Sequence, residues 1–399
     1  MWTQKRVVVA VTGGIAAYKT CSLVSKLRQE GAEVKVAMTK NATSFISPEC
    51  FEALARTKVY VDLWGSAEEI PHISLGQECD LVVVAPATAN ILAKMAHGIA
   101  DDLVSTMLLA ATAPVVVVPS MNAVMWEHPA VQANLKILAD RGVRVVNPDV
   151  GNLACGTSGR GRFPELDRIM AEMAKAVTVQ SYQGKRVLVT AGPTREYLDP
   201  VRFLSNPSTG KMGLAIAKAA WQRGAEVTLI LGPCETKVPD YINHVPVVSA
   251  EEMLEAVLSH LANTDLLFMT AAVADYRPKC EAAEKIKKTQ SDLSTLELTR
   301  NPDILLQVKA VRRPEQIIVG FAAETAADLV ELAKKKLTAK GLDYIVANRV
   351  HKTDKGFSSS VQSEVVILGK DGSYRHYQEI NKEELAHSLC DLIATANQL

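Results

Sequence analysis

Two stretches of this 399-residue chain repeat one pattern, and that repeat limits the fold more than any other feature. The first runs Lys5-Arg6-Val-Val-Val, a glycine-containing turn, a helix-length segment, then Glu30-Gly-Ala-Glu-Val34. The second runs Lys185-Arg186-Val-Leu-Val, a longer Gly/Pro turn, a helix-length segment, then Arg223-Gly-Ala-Glu-Val227. Each continues into a further β-rich run, KVAMT or TLILG. Later come Asp80-LVVVAPATA-Asn90 and Asp265-LLFMTAAVA-Asp275, apolar runs that end in small polar loops. Strands apolar on both faces and separated by helix-length segments are the mark of parallel βαβ units. The pattern predicts an α/β chain of two Rossmann-like domains with mainly parallel sheets. The join is expected near Ser181–Gly184, giving domains 1–183 and 184–399.

Charge and cysteine content exclude several classes of protein. Lys plus Arg is 44 and Asp plus Glu is 44. The balance also holds locally, with 17 basic and 17 acidic residues in 1–183 and 27 of each in 184–399. A nucleic-acid binder or an anionic-membrane binder carries a basic surplus, so neither partner is expected. The seven cysteines are widely spaced and include no CxxC, which argues against a disulfide framework or zinc cluster and fits a reducing compartment. No apolar run reaches the roughly 18–20 residues of a membrane span. The first apolar run stops at Gly13-Gly14 and reads as a strand rather than a signal peptide. A cytoplasmic location is expected.

Ligands of such sheets bind at the C-terminal ends of the strands, so the loops there are the places to look for chemistry. Thr12-Gly13-Gly14-Ile15 follows a strand and opens a helix, where free N–H groups suit a phosphate. It is not a GxGxxG and does not indicate a dinucleotide. The segment from Ala85 to Ala110 is rich in small residues that let a flat ring approach the backbone. Its Thr88, Asn90, Lys94 and Ser105 are candidate partners for the heteroatoms of such a ring or its phosphate. Pro119-Ser120-Met121-Asn122 has the same character. Gly151 to Arg162 places Cys155 in a glycine-dense loop, expected to be mobile enough to close over a ligand. Taken singly, a lone histidine in PHISL is more often a surface or structural residue, a lone cysteine is usually inert and buried, and Asn122 after a strand can merely cap a turn.

Together GGIAAYK, Pro71-His72-Ile73, APATAN, ADDL, PSMN and ACGTSGRGR resemble, in order, the flavin-binding cysteine decarboxylases. The match is to the phosphopantothenoylcysteine decarboxylase half of bifunctional coenzyme A biosynthesis proteins. The resemblance implies a flavodoxin-like flavoprotein with FMN held by Gly13, Gly14, Ile15, Thr39 and the 88–105 segment, with Thr88, Asn90 and Ser105 among its contacts. It implies His72 as a catalytic residue beside the flavin, Asn122 as the holder of the substrate carboxylate, and Cys155 as the proton donor. The need for a flavin follows from the chemistry. Oxidising the substrate thiol to a thioaldehyde puts a thiocarbonyl β to the carboxylate, and loss of CO₂ then leaves a stabilised enethiolate. An acid must return a proton, and a thiol on a closing loop can do so.

The second half opens with a long loop, Ala191 to Gly213, whose Ser208-Thr-Gly-Lys-Met-Gly run can cradle phosphate without being a Walker A. Lys336 and Lys340 are four residues apart and share a helix face, suited to a triphosphate or a substrate phosphate, while Lys334 and Lys335 read as a solvated face. AGPTREYLDPVRFLSNPSTGKMG, AAVADYR, EKIKK, NPDIL and GFAAET resemble the phosphopantothenate–cysteine ligase of the same fused proteins. That resemblance implies CTP and Mg²⁺, with 4'-phosphopantothenate and L-cysteine as the substrates joined through an acyl-cytidylate. Ala271, Asp275, the Pro302-Asp303-Ile304-Leu305 turn and Phe321 would contact the nucleotide, and Lys336 and Lys340 its phosphates. Asp275 is the candidate metal ligand. Lys285 would stabilise charge during acyl-cytidylate formation, and Asn206 would position the carboxylate or intermediate. The PKCEAA stretch adds Cys280, for which no role is expected. The family's assemblies imply a homo-oligomer, with trimeric contacts in the first half and dimeric contacts in the second, as in a dodecamer. Two other readings stay open on sequence alone: a flavin-binding regulatory protein, and a nicotinamide-dependent oxidoreductase.

Overall fold

The structure is a computed structural model and describes residues 1–64, 70–287, 295–325, 328–350 and 361–399. Lys288, the last residue of EKIKK, lies outside them. The chain divides into two compact units, Met1–Thr178 and Val179–Leu399.

The first unit holds strands β1 (Arg6–Val11), β2 (Glu33–Met38), β3 (Val59–Tyr60), β4 (Leu81–Ala87), β5 (Val115–Pro119) and β6 (Arg144–Val145) in one parallel sheet ordered β3-β2-β1-β4-β5-β6. A hairpin of β7 (Asp149–Asn152) and β8 (Ser158–Arg162) follows. Alternation builds two cores from β1 alone. Val7, Val9 and Val11 pack with Leu23, Val24 and Leu27 on one face. Val8 and Ala10 pack with Leu92 and Met107 on the other. All seven residues of β4 are buried, as a central parallel strand requires.

The second unit holds β9 (Arg186–Ala191), β10 (Arg195–Tyr197), β11 (Phe203–Ser205), β12 (Glu226–Leu231), β13 (Asn243–Pro246), β14 (Leu266–Met269), β15 (Tyr276–Pro278), β16 (Leu298–Arg300), β17 (Ile317–Glu324), β18 (Tyr344–Arg349), β19 (Val361–Gly369) and β20 (Tyr374–Asn381). Its main sheet is ordered β13-β12-β9-β14-β17-β18-β19-β20, parallel through β18 and antiparallel beyond. Two small antiparallel ribbons, β10–β11 and β15–β16, stand apart from it.

The sequence repeat is a repeat of contacts. The backbone N–H of Arg6 donates to Asp80 Oδ2 at 2.7 Å, and that of Arg186 donates to Asp265 Oδ2 at 2.7 Å. The carbonyl of Lys5 accepts from Glu33 N–H at 2.8 Å, and that of Lys185 from Glu226 N–H at 2.9 Å. Gly31 (φ +87°) and Gly224 (φ +94°) occupy the same left-handed position in the two Gly-Ala-Glu-Val turns, which explains why a glycine stands at each. The duplicated KR, GAEV and Asp signals therefore register three parallel strands in each unit. Among the described residues, no helix is long and apolar enough to cross a membrane.

Candidate active site

In the first sheet, strand order reverses between β1 and β4, which opens a crevice at their C-terminal ends. Thr12 fastens the two rims. Its buried hydroxyl donates to the Pro86 carbonyl at 2.6 Å and accepts from Thr88 N–H at 3.1 Å. The sequence reading did not single out Thr12; its place at the end of β1, just before Gly13-Gly14, was the available signal. A Cβ on Gly13 would lie 2.6 Å from Asn41 Cβ, so the turn after β1 rests directly on the turn that Thr39 opens after β2. A Cβ on Gly14 would lie 3.5 Å from Thr88 Cγ2. Gly13, Gly14, Thr39 and Thr88 are thus brought to one rim, with Ile15 exposed beside them. The helix Ala17–Gln29 begins there with no side-chain cap and no acidic residue in its first turn, leaving N–H groups for an anion.

The next loop is less open than the sequence suggests. Thr88 caps the helix Ala89–His97, and Asn90 is exposed on its first turn. Ser105 is 3% exposed and belongs to a capping box with Asp102 at the start of Leu103–Ala110. Its hydroxyl accepts from Asp102 N–H at 3.0 Å, and its own N–H donates to Asp102 Oδ1 at 2.8 Å. Lys94 is tied to Asp101 and to Asp102, the latter at 2.8 Å. The Ser105 hydroxyl and Lys94 ammonium are therefore engaged within the protein.

Asn122 and Cys155 meet. The Asn122 amide Nδ2 donates to Cys155 Sγ at 3.2 Å, while its Oδ1 accepts from Val124 N–H at 2.8 Å. Asn122 is thus both a turn cap and a partner of the cysteine. Thr157 Oγ1 lies 3.1 Å from the same sulfur. The Thr157 hydroxyl, then its backbone, then the Asn122 amide lower the exposed Cys155 thiol from its ordinary value to about 7.

The glycine-dense segment is built as the β7–β8 hairpin with Cys155 and Gly156 in its turn; Gly159 and Gly161 serve close packing, whereas a Cβ on Gly156 (φ +82°) would meet nothing within 4 Å. A Cβ on Gly159 would lie 2.7 Å from Ala123 Cβ. One on Gly161 (φ +151°) would lie 2.1 Å from the Met121 carbonyl oxygen, while the Gly161 carbonyl accepts from Met121 N–H. Gly161→Ala is expected to lift the hairpin from the 119–123 turn, with backbone strain of about 1–3 kcal/mol added to the clash. The check is trypsin cleavage after Arg160 in native protein, several-fold faster than in the wild type.

His72 stands apart from this pair in the described contacts. It is the second residue of the helix Pro71–Gln77, and its buried Nδ1 has no hydrogen-bond partner among the described residues.

In the second unit the loops after β9, β14 and β17 carry the candidates. Asn206 Nδ2 donates to the carbonyls of Ala272 and Val273 at 3.1 and 3.2 Å, which places it on the loop that contains Ala271 and Asp275. Asn301 joins that loop to the NPDIL turn: its N–H donates to the Asp275 carbonyl at 2.9 Å and its amide to the Ala274 carbonyl at 2.8 Å. Pro302 and Asn301 line a cavity of about 510 Å³ with Arg277 and Arg300. Asp303 caps the helix Ile304–Val311. Ile304 is 4% exposed and packs in the core, so only its backbone can face a ligand, whereas Leu305 is half-buried. Phe321 lies within β17, beside Val346 of β18.

Lys336 and Lys340 sit on the helix Leu329–Lys340 and are not waiting unpaired. Lys336 pairs with Glu324 at 2.6 Å, and Lys340 with Asp303. Lys285 is exposed, on the segment that follows β15. No group of three or more His, Cys, Asp or Glu poised for a metal occurs among the described residues. Asp275, exposed at the loop, therefore fits only an ion held chiefly by phosphates.

Comparison with known proteins covers both units. The Flavoprotein family model matches residues 1–178, and that of the DNA/pantothenate metabolism flavoprotein C-terminal domain matches 182–396. The coenzyme A biosynthesis bifunctional protein CoaBC of Bacillus subtilis (strain 168) is 46% identical over 404 residues, covering 100% of this chain and 98% of the relative. The solved C-terminal domain of a coenzyme A biosynthesis bifunctional protein CoaBC is 40% identical, covers 55% of this chain and 98% of its own, and has a TM-score of 0.46. The solved FMN-dependent cysteine decarboxylase SpaF is 33% identical, covers 45% and 100%, and has a TM-score of 0.40.

Proposed function

This chain belongs to the family of coenzyme A biosynthesis bifunctional proteins, and from that premise we propose how its two halves divide the work. It is a bifunctional enzyme of coenzyme A biosynthesis, a phosphopantothenate–cysteine ligase and a phosphopantothenoylcysteine decarboxylase. Residues 184–399 carry the ligase and 1–183 the decarboxylase.

In the decarboxylase, FMN fits the rim built by Gly13, Gly14, Ile15, Thr39 and Thr88. The uncapped helix start there would take its phosphate, the small side chains would admit its ring, and Asn90 would complete the cradle, while Ser105, held by Asp102 through both its hydroxyl and its N–H, would support it from behind. When bound, FMN supplies a two-electron acceptor for the substrate thiol and returns those electrons later. Asn122 holds the substrate carboxylate, and its position against Cys155 sets that carboxylate beside the acid. The Asn122–Cys155 contact carries this reading, because it joins the carboxylate holder to a group able to deliver a proton. His72, whose buried Nδ1 has no partner among the described residues, completes the set of catalytic residues.

The ligase activates a poor electrophile. The phosphopantothenate carboxylate attacks the α-phosphorus of CTP and releases pyrophosphate; the cysteine amine then attacks the acyl-cytidylate and releases CMP. Ala271, Asp275, the Pro302–Leu305 turn and Phe321 hold the nucleotide. Lys336 and Lys340 would leave Glu324 and Asp303 to meet its phosphates, and Mg²⁺, with Asp275 as its protein ligand, would supply neutralisation of phosphate charge. Asn206 donates both ways to backbone carbonyls and so presents its Oδ1 as an acceptor, which suits the incoming amine better than a carboxylate. The enzyme works in the cytoplasm as a homo-oligomer with trimeric decarboxylase and dimeric ligase contacts, as in a dodecamer. Native mass measurement tests that assembly.

The direct experiment supplies 4'-phosphopantothenate, CTP, Mg²⁺ and L-cysteine to the FMN-loaded protein and follows pyrophosphate, CO₂ and phosphopantetheine. Absence of all three in folded protein would sink the reading. A second test uses pH. If the Cys155 thiol donates the proton, product formation falls as pH rises through about 7. Thr157→Val removes the foremost group that lowers this thiol, so the alkaline limb should move to higher pH.

A further inference from the structure

Asp199 lies in the long connection between β9 and the helix Lys211–Gln222, and its side chain is wholly buried. Its contacts tie its own turn, at Val201 and Arg202, to one distant segment at Ile286. Oδ1 accepts the backbone N–H groups of Val201 and Arg202, each at 2.9 Å. Oδ2 accepts Arg202 Nε at 2.9 Å and the backbone N–H of Ile286 at 3.2 Å. Arg202 in turn donates to the Ile286 carbonyl at 2.9 Å. One ion pair thus grips both hydrogen-bonding groups of a single residue, and that residue directly follows Lys285. A second tie lies nearby, from Ala282 N–H to the Leu198 carbonyl at 2.9 Å. Residues 279–287 lie outside any helix or strand, so these bonds stand in for secondary structure.

The Arg202 guanidinium, followed by the backbone N–H groups, holds the Asp199 carboxyl well below the usual carboxylate range against the opposing effect of burial. With the folded value depressed, the pair is intact above the ordinary carboxylate pKa and fails only in strong acid, so it is charged at every pH where the enzyme can be assayed. A buried ion pair is weak evidence for stability, since an apolar replacement often serves as well; its worth lies in fixing one geometry.

We propose that Asp199 is a positioning residue of the ligase: through Arg202 and the Ile286 peptide it fixes the backbone beside Lys285, and so where that ammonium meets the nucleotide. This rests on the reading of Lys285 as the charge-stabilising group. Asp199→Asn keeps the size of the side chain and acceptance from Val201 and Arg202, but removes the charge that holds Arg202 and the acceptor for Ile286.

The test uses the full-length, FMN-loaded protein. Asp199→Asn should lower kcat for CTP-dependent pyrophosphate release by about 10²-fold, the loss a misplacement of about 1 Å can bring. The KM for CTP should change much less, and tryptic cleavage after Lys285 or Lys287 should quicken. Lys285→Gln should leave cleavage after Lys287 at the wild-type rate. The double variant should be no slower than Lys285→Gln alone, because the clamp has then lost what it positions. Wild-type kcat in Asp199→Asn, or losses that simply multiply in the double variant, would overturn the proposal while the ligase reading stands. A wild type without CTP-dependent pyrophosphate release would overturn both. Should Asp199→Asn not fold, Arg202→Lys keeps a positive charge and loses the fork that reaches Ile286, and the same comparison with Lys285→Gln decides.

Discussion

Cys155→Ser is expected to release CO₂ from phosphopantothenoylcysteine yet form phosphopantetheine at least about 10²-fold more slowly than the wild type, the span that a positioned general acid supplies. The two products separate because the lost step comes after decarboxylation: the enethiol product of CO₂ loss still needs a proton together with the two electrons that the bound flavin would return. A serine fits the site. It can accept from the Asn122 amide and bond to Thr157 as the sulfur does, at 3.2 and 3.1 Å, so the hairpin keeps its place. What changes is acidity, from a thiol held at about 7 to a hydroxyl many units higher. Pyrophosphate release in the other unit should be untouched. CO₂ release and mass spectrometry of the thiol product, measured on one sample, check this. Equal yields of CO₂ and phosphopantetheine in the variant would remove Cys155 from its role.

The sheets and the duplication were legible because their signals are local. Val7-Val8-Val9 and Val187-Leu188-Val189 show apolar strands within a few residues, and the two Gly-Ala-Glu-Val turns mark where each second strand starts. The partners of individual side chains were not legible, because they come from far along the chain. Thr12 bonds to residues 74 and 76 positions away, and Asp199 grips a peptide 87 positions away. Ser105 read as a ligand group, but its pairing with Asp102 three residues earlier is a local capping pattern that the sequence already contained. The β7–β8 hairpin read as a loop because glycine serves both freedom and close contact: the Met121 carbonyl shows that Gly161 serves contact, while Gly156 in the turn meets no neighbour.

Lys285→Gln is expected to reduce CTP-dependent pyrophosphate release by about 10²–10³-fold, comparable to losing a preorganised group aimed at developing charge. The second half has 27 basic and 27 acidic residues, so no surplus field gathers or steadies the triphosphate, and the work falls to placed cations. Two candidates for that work, Lys336 and Lys340, already have carboxylate partners; meeting phosphate would mean exchanging them, which would offset part of what they contribute. Lys285 is different: it is exposed, and it sits on a backbone that is itself held in place. On the proposed reading its charge would meet the negative charge that builds on the α-phosphate as the carboxylate attacks. Glutamine keeps most of the length and a hydrogen-bond donor but has no charge, so the loss should appear in kcat rather than in folding. Decarboxylation of supplied phosphopantothenoylcysteine by the same preparation should run at the wild-type rate. A fall in both activities would mean that the substitution had damaged the protein, and wild-type pyrophosphate release would take Lys285 out of the chemistry.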